Sequence, residues 1–133
     1  MKYLLDTNTC ISIINKKPPQ IREKFADYAP GDIGISVITV AEMRYGVQKS
    51  APVAQNSLAL DQFLLPLQIV EFTQAAAQVY GEIRAQLVKL GAPIGTLDTF
   101  IAAHALQLNL TVITNNVGEF SRVPGLRVEN WVG

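Results

Sequence analysis

The stretch Lys2-Tyr3-Leu4-Leu5-Asp6-Thr7-Asn8-Thr9 decides the fold. Three apolar-bodied residues run straight into a carboxylate, and Thr-Asn-Thr follows at once. A short apolar run bounded by turn formers reads as a buried strand over 2–5. Residues 8–15 then suit a short helix, stopped by Lys16-Lys17-Pro18-Pro19. Asp6 therefore stands at the carboxyl end of the first strand. It can simply close an Asx turn there, or it can be aimed at a ligand.

The same alternation continues along the chain. Ile21, Phe25 and Tyr28 fall on one face of an amphipathic helix over 19–28, which Pro30-Gly31 breaks. Ile33-Gly34-Ile35-Ser36 reads as a second strand, followed by a helix over 39–48 and another from Pro52 to about Leu65. Residues 67–71 read as a third strand. Thr73 caps a long helix that ends at Gly91, with Lys89 placed to meet the negative end of its dipole. Pro93-Ile94-Gly95 is a loop, Thr96 starts a helix to about Leu108, and Thr111-Val112-Ile113 is a fourth strand. Leu126-Arg127-Val128 is the candidate for a fifth. Strands alternating with helices predict an α/β fold: a central, largely parallel sheet of four to five short strands flanked by helices, in one domain over 1–133.

The bulk properties bound the function. At 133 residues the chain suits one hydrophobic core, and 49% hydrophobic residues argue against disorder. A mean hydropathy of +0.22 is high for so small a domain, so part of the apolar surface is expected to meet a partner, most simply a second copy. No apolar run reaches the ~18 residues of a membrane span. The residues before Asp6 leave no room for a signal peptide, so a cytoplasmic protein is expected. Cys10 is the single cysteine, which excludes an internal disulfide; within Cys-Ile-Ser-Ile-Ile it reads as a buried, inert thiol. Eleven basic residues balance eleven acidic ones, a net charge of zero that by itself does not suggest nucleic acid.

In open parallel sheets the ligand crevice lies outside the carboxyl ends of the strands. Three more acids can reach it. Glu42 is expected in the first turn of the helix that follows the second strand. Asp98 is in the first turn of the helix from Thr96, which shares that edge only if the loop from Gly91 to Gly95 brings it there. Glu119 lies just past the fourth strand, after Thr114-Asn115-Asn116-Val117-Gly118. Each acid also has a plain structural explanation. Thr39 and Glu42 match a capping box, Asp98 suits the helix dipole, and Glu119 suits a solvated loop.

Clustered carboxylates repel, and one takes up a proton unless a cation holds them. An all-oxygen set without His or Cys suits Mg²⁺ or Mn²⁺, as one or two ions. The matching chemistry is in-line attack of water on a phosphodiester. Setting the four acids aside leaves eleven basic residues against seven acidic, a surface modestly suited to a phosphate backbone. Lys16, Lys17, Arg22, Lys24, Arg44, Lys49, Arg84 and Lys89 are candidates for it, although solvated charge explains each singly. His104, the only histidine, lies six residues beyond Asp98, about 240° around the helix, and so reads as a packing residue. Trp131 and the four tyrosines read chiefly as core or interface residues.

Four segments in register carry a resemblance. "LLDTN" (4–8), "ISVITVAEMRYGV" (35–47), "IGTLDTFIAAHAL" (94–106) and "TVITNNVGEFSRVPGLRVENW" (111–131) resemble the PIN-domain toxins of bacterial VapBC toxin–antitoxin modules, over essentially the whole chain. The resemblance implies a three-layer α/β/α ribonuclease fold with Asp6, Glu42 and Asp98 as the first three catalytic, metal-holding acids. Many relatives carry an Asp directly after the fourth strand, where this chain has Asn115-Asn116. Glu119 is the nearest acid to fill that place, with Asn116 beside it. Thr7, Asn8 and Thr114 would support the acids or a bound water. The resemblance further implies RNA as substrate, with the anticodon loop of a tRNA, initiator tRNA in particular, as the specific expectation. It implies a homodimer, and inhibition by a VapB-type antitoxin through which alone DNA is met. Two other enzymes with an Asp after the first strand fit less well. A haloacid-dehalogenase-type phosphotransferase needs a second such group where Asn8 stands, and a receiver domain needs its acid pair after the first strand. A fold that binds RNA or an antitoxin without cutting is the non-enzymatic alternative, and Asn115-Asn116 is the feature that favours it.

Overall fold

The computed structural model describes residues 1–131. Five parallel strands form one sheet: β1 (Tyr3–Leu5), β2 (Ile33–Ser36), β3 (Gln68–Val70), β4 (Thr111–Ile113) and β5 (Val128–Glu129), in the order β3-β2-β1-β4-β5. β1 is central, with Tyr3 level with both Ile33 and Thr111. The helices are α1 (Thr7–Asn15), α2 (Pro19–Ala26), α3 (Val37–Gln48), α4 (Val53–Leu64), α5 (Gln74–Lys89), α6 (Thr96–Leu108) and the short α7 (Val117–Phe120). The expected strands are all present. The fifth is set two residues later than the triplet from Leu126, because Val112 and Ile113 fix its register against Val128 and Glu129.

Side chains alternate across a strand, so the two faces of the sheet feed two cores. Leu5, Ile33, Ile35 and Ile113 pack with Cys10, Ile13, Ile21, Met43, Leu60 and Leu64 of the first four helices. Leu4 and Val112 pack on the other face with Ile83, Leu87, Ile101, Ala102 and Phe120. Cys10 is buried, and desolvation pushes its thiol well above the usual range, in keeping with an inert thiol. Trp131 is buried and stacks on Tyr28 at 4.9 Å. Among the described residues no helix is long and apolar enough to cross a membrane.

Lys16 closes α1 in the left-handed region, at φ 57° and ψ 37°, with its amide bonded back into the helix end. That conformation costs a Cβ-bearing residue about 1–2 kcal/mol, a cost glycine avoids at some loss of chain entropy. Lys16→Gly should therefore raise stability by a few tenths to about 1 kcal/mol, read as a higher urea midpoint at unchanged m-value.

The strand order gives the sheet a direction change. From β1 the chain builds outward through β2 and β3, then returns by α6 to place β4 on the other side of β1 and β5 beyond it. The connections part between β1 and β4, and a crevice opens there at the carboxyl edge.

Candidate active site

Asp6 stands at this parting point. It is 2% exposed and caps α1: Oδ1 accepts the Thr9 amide at 2.8 Å, and Oδ2 accepts the Thr114 hydroxyl across the gap between β1 and β4. Thr9 adds a hydroxyl bond to the Ile113 carbonyl at 3.1 Å. The turn role and the site role thus fall on the same carboxylate. Each oxygen has a lone pair left over, and Asp6 lines a cleft of about 430 Å³ with Thr7, Asn8, Glu42, Gly95 and Asp98 among others.

Glu42 reaches this cleft by a different route from the one expected. Ser36, at the end of β2, caps α3 by accepting the Ile38 amide at 3.1 Å, so the helix starts at Val37 and Glu42 lies in its second turn. The capping box from Thr39 does not form. The Thr39 hydroxyl is buried with no hydrogen-bond partner. An extended Ser directly before an apolar helical run takes precedence over a Thr already inside it. Glu42 Oε2 instead accepts the Thr7 hydroxyl at 2.9 Å, which ties α3 to the first turn of α1.

Asp98 lies in the first turn of α6. The loop before it is clamped from the far side of the site. The Gly95 amide donates to Glu119 Oε1 at 2.6 Å, and Arg122 Nη1 donates to the Pro93 carbonyl at 3.0 Å. Those two bonds bring the start of α6 to the shared edge. Glu119 sits on α7, not in a loop as the sequence suggested, because Val117 to Phe120 close a helical turn that buries Phe120. The Asn116 side-chain amide donates to Glu119 Oε2, and the Asn116 backbone amide donates to the Thr114 hydroxyl at 2.9 Å. Asn116 thus stands beside Glu119 as its support. Asn8 is exposed on the rim of the cleft.

The acids act on one another electrostatically. Burial, then the charge of Glu119 and a shared hydrogen bond with it, then Asp6 and Glu42, push Asp98 up to about 7. Glu119 is held below the usual range, first by the Gly95 amide. The proton therefore rests on Asp98 and is donated to Glu119. A carboxyl raised in the folded state stabilises below its unfolded value and loses that contribution as pH rises through its folded value. In the ion-free chain the Asp98 contribution should fade between about pH 4 and pH 7. Asp98→Asn should remove that limb and raise the melting temperature at pH 8 in EDTA. An unchanged alkaline limb would contradict the shared proton. Glu119 has the opposite sign, with its contribution lost on the acid side.

The donor set, all carboxylate oxygen, is of the kind that suits a hard divalent cation, and burial together with the neighbouring charges holds a proton on one of the four acids. Among the described residues no group of three or more Asp, Glu, His or Cys is placed to hold a metal ion with the side chains as they stand.

His104 is fully buried on α6 and away from the cleft. Its Nδ1 is 2.8 Å from the Ser36 hydroxyl and its Nε2 is 3.1 Å from the Glu71 carbonyl. The carbonyl can only accept, so Nε2 carries the proton and Nδ1 accepts from Ser36. The packing role expected for it holds, in the form of a polar bracket joining α6 to the cap of α3. Neither this bracket nor the Gly95 amide is marked by any motif. A glycine just before a helix start was the one available hint for the latter.

Comparison with known proteins identifies the family of the fold. The PIN domain model matches residues 3–126. The chain belongs to the PIN-domain family. Within that family its relatives are VapC ribonucleases. It is 42% identical over 131 residues to the tRNA(fMet)-specific endonuclease VapC of Salmonella typhimurium, covering 98% of each chain. It is 44% identical over 132 residues to ribonuclease VapC2 of Rickettsia felis, again over 98% of each. The structure superposes on VapBC2 from Rickettsia felis, crystallised bound to a DNA fragment from its promoter, with a TM-score of 0.92 at 42% identity over 98% of this chain and 99% of that one.

Proposed function

We propose that the chain is the endoribonuclease toxin of a toxin–antitoxin pair, that it requires Mg²⁺ or Mn²⁺, and that it cuts a tRNA in the anticodon loop. The observation that carries this reading is that Asp6, Glu42 and Asp98 line one crevice, with Glu119 hydrogen-bonded to Asp98 and to the Gly95 amide beside it. The tRNA assignment, with initiator tRNA first, rests on the name of the Salmonella relative. A VapB-type antitoxin as inhibitor, and contact with DNA through it, rest on the solved relatives, which are VapBC complexes. The same reading includes a homodimer and action in the cytoplasm.

Asp6, Asp98 and Glu42 would hold the cation, with Glu119 supporting a second ion or orienting the attacking water. A bound cation supplies charge neutralisation at the scissile phosphate and a lowered water pKa. The protein's own groups do the rest. Thr114 and Thr9 fix Asp6, Thr7 fixes Glu42, and Gly95 and Asn116 hold Glu119 with both oxygens engaged. The proton that Asp98 carries in the ion-free site would give way to a bound cation. No side chain need form a covalent intermediate.

The test is cleavage of an anticodon stem-loop with Mg²⁺, with EDTA, and by an Asp6 variant. Cutting should need the ion and leave a 5′-phosphate and a 3′-hydroxyl. A 2′,3′-cyclic phosphate would exclude water as nucleophile. Binding without metal-dependent cutting would favour the non-catalytic alternative. Against that alternative, Asn116 is engaged in holding Glu119 and does not displace an acid from the cleft.

A further inference from the structure

A second groove leaves the acid cleft and has no part in the scheme above. It encloses about 460 Å³ and shares Thr7, Asn8 and Glu42 with the cleft, so the two are continuous. Its walls come from α1, α3 and α4, with Ile11 and Ile14 on one side, Tyr45, Gly46 and Lys49 on another, and Asn56 on the third. Arg44 bonds Asp61 at 2.7 Å, which fixes α3 against α4. The volume falls within the range of about 300–1,000 Å³ for sites that hold a small organic ligand.

Helical spacing orders this groove. Glu42, Tyr45 and Lys49 are three and seven residues apart and so lie on one face of α3 and its C-terminal cap. The acid is at the cleft, the ring a turn further on, and the ammonium beyond it. Tyr45 is 65% exposed, unusual for a large ring, and Lys49 Nζ lies 4.9 Å from its centroid. Beside it Gly46 leaves a gap: a Cβ there would meet nothing within 4 Å. Glu42 and Lys49 are the two charged groups on the described walls.

We propose that this groove holds an unpaired nucleotide next to the scissile phosphate, with its base stacked on Tyr45 and its phosphate facing Lys49. The inference rests on the nuclease reading of the acid cleft. A polynucleotide with one phosphate at Asp6 and Asp98 must pass its next nucleotide along a wall of that cleft. The groove offers what an unstacked base needs, an exposed aromatic face, and what its phosphate needs, a cation at the end away from the acids. Asn8, Asn15 and Asn56 carry amides at its rim for base edges.

Binding can be tested without turnover. The full-length chain with Asp98→Asn is titrated against a fluorescein-labelled single-stranded RNA of twelve nucleotides, read by anisotropy. Tyr45→Ala should weaken binding roughly 5- to 150-fold, the equivalent of ~1–3 kcal/mol for one stacked base. Tyr45→Phe should stay within about two-fold. Gly46→Leu, which puts a side chain into the gap, should weaken binding as well. Abasic substitution along the RNA should locate one position whose loss costs the parent but adds nothing in Tyr45→Ala. In the cutting enzyme Tyr45→Ala should raise KM more than it lowers kcat.

Tyr45→Ala and Gly46→Leu both within two-fold of the parent would overturn the proposal. So would a Tyr45→Ala chain that keeps RNA affinity but loses affinity for a VapB-type antitoxin, since the groove would then belong to a protein. RNA binding through Tyr45 in a chain that fails to cut with Mg²⁺ would support the groove and refute only the nuclease reading.

Discussion

Asp6→Asn should remove RNA cleavage while leaving the fold nearly as stable as before, and Asp6→Ala should damage both. Asn caps a helix as well as Asp does, so the bond from the Thr9 amide survives the first change. What Asn cannot supply is the negative charge; at Thr114 its Nδ2 can donate to the hydroxyl oxygen, whose O–H must then turn away. Loss of a group that merely orients a metal ligand commonly costs 10–100-fold, so loss of the ligand's charge should cost at least about 100-fold in kcat/KM. The alanine variant has two further costs. It loses the cap, worth about 0.5–2 kcal/mol, and it strands the buried Thr114 hydroxyl, which costs about 1–3 kcal/mol. Asp6→Ala should therefore lose roughly 2–4 kcal/mol in denaturant unfolding, against under about 1 kcal/mol for Asp6→Asn. Full activity in Asp6→Asn would remove Asp6 from the chemistry.

His104→Leu should be among the most destabilising single changes outside the sheet. Leucine keeps much of the volume but leaves the buried Ser36 hydroxyl without its acceptor and the partly buried Glu71 carbonyl without its donor. Two stranded groups cost roughly 2–4 kcal/mol, about 6–16 °C in melting temperature for a chain of this size. The pH dependence carries a second signature. Burial holds the His104 imidazole below its ordinary value, against a smaller opposing effect of the Glu71 carbonyl. A depressed group stabilises above its unfolded pKa and loses that contribution as pH falls. The His104 contribution to wild-type stability should thus fall below about pH 6.5, opposing the Asp98 contribution over the same range, and it should vanish in His104→Leu. An unchanged acid limb would show that His104 contributes packing alone.

The two variants also mark where the sequence could and could not be read. Asp6 was legible because an apolar run before it and turn formers after it place it at a strand's end. Asp98 followed from a helix start with a glycine before it. Glu42 was assigned to the right helix but the wrong turn, because Ser36 and Thr39 are both good caps and only the length of β2 decides between them. Glu119 was legible as an acid past the fourth strand but not as a helical one, since a four-residue helix leaves no period to detect. The His104 bracket was beyond reach. Its partners are 68 and 33 residues away and one is a backbone carbonyl, which carries no residue identity. Long-range polar bonds of that kind leave no local pattern, whereas the alternation of strand and helix does.

The bond between Asp6 and Thr114 joins residues 108 apart. During synthesis the first of them emerges early and waits, with its partner strand still unmade. Most of the helices can gather on the growing sheet before the fourth strand arrives. The crevice between the first and fourth strands is completed only once β4 and α7 have emerged, together with the loop that Glu119 clamps. A ribosome making this chain therefore carries an open, incomplete edge beside β1 until residues 111–120 have been made.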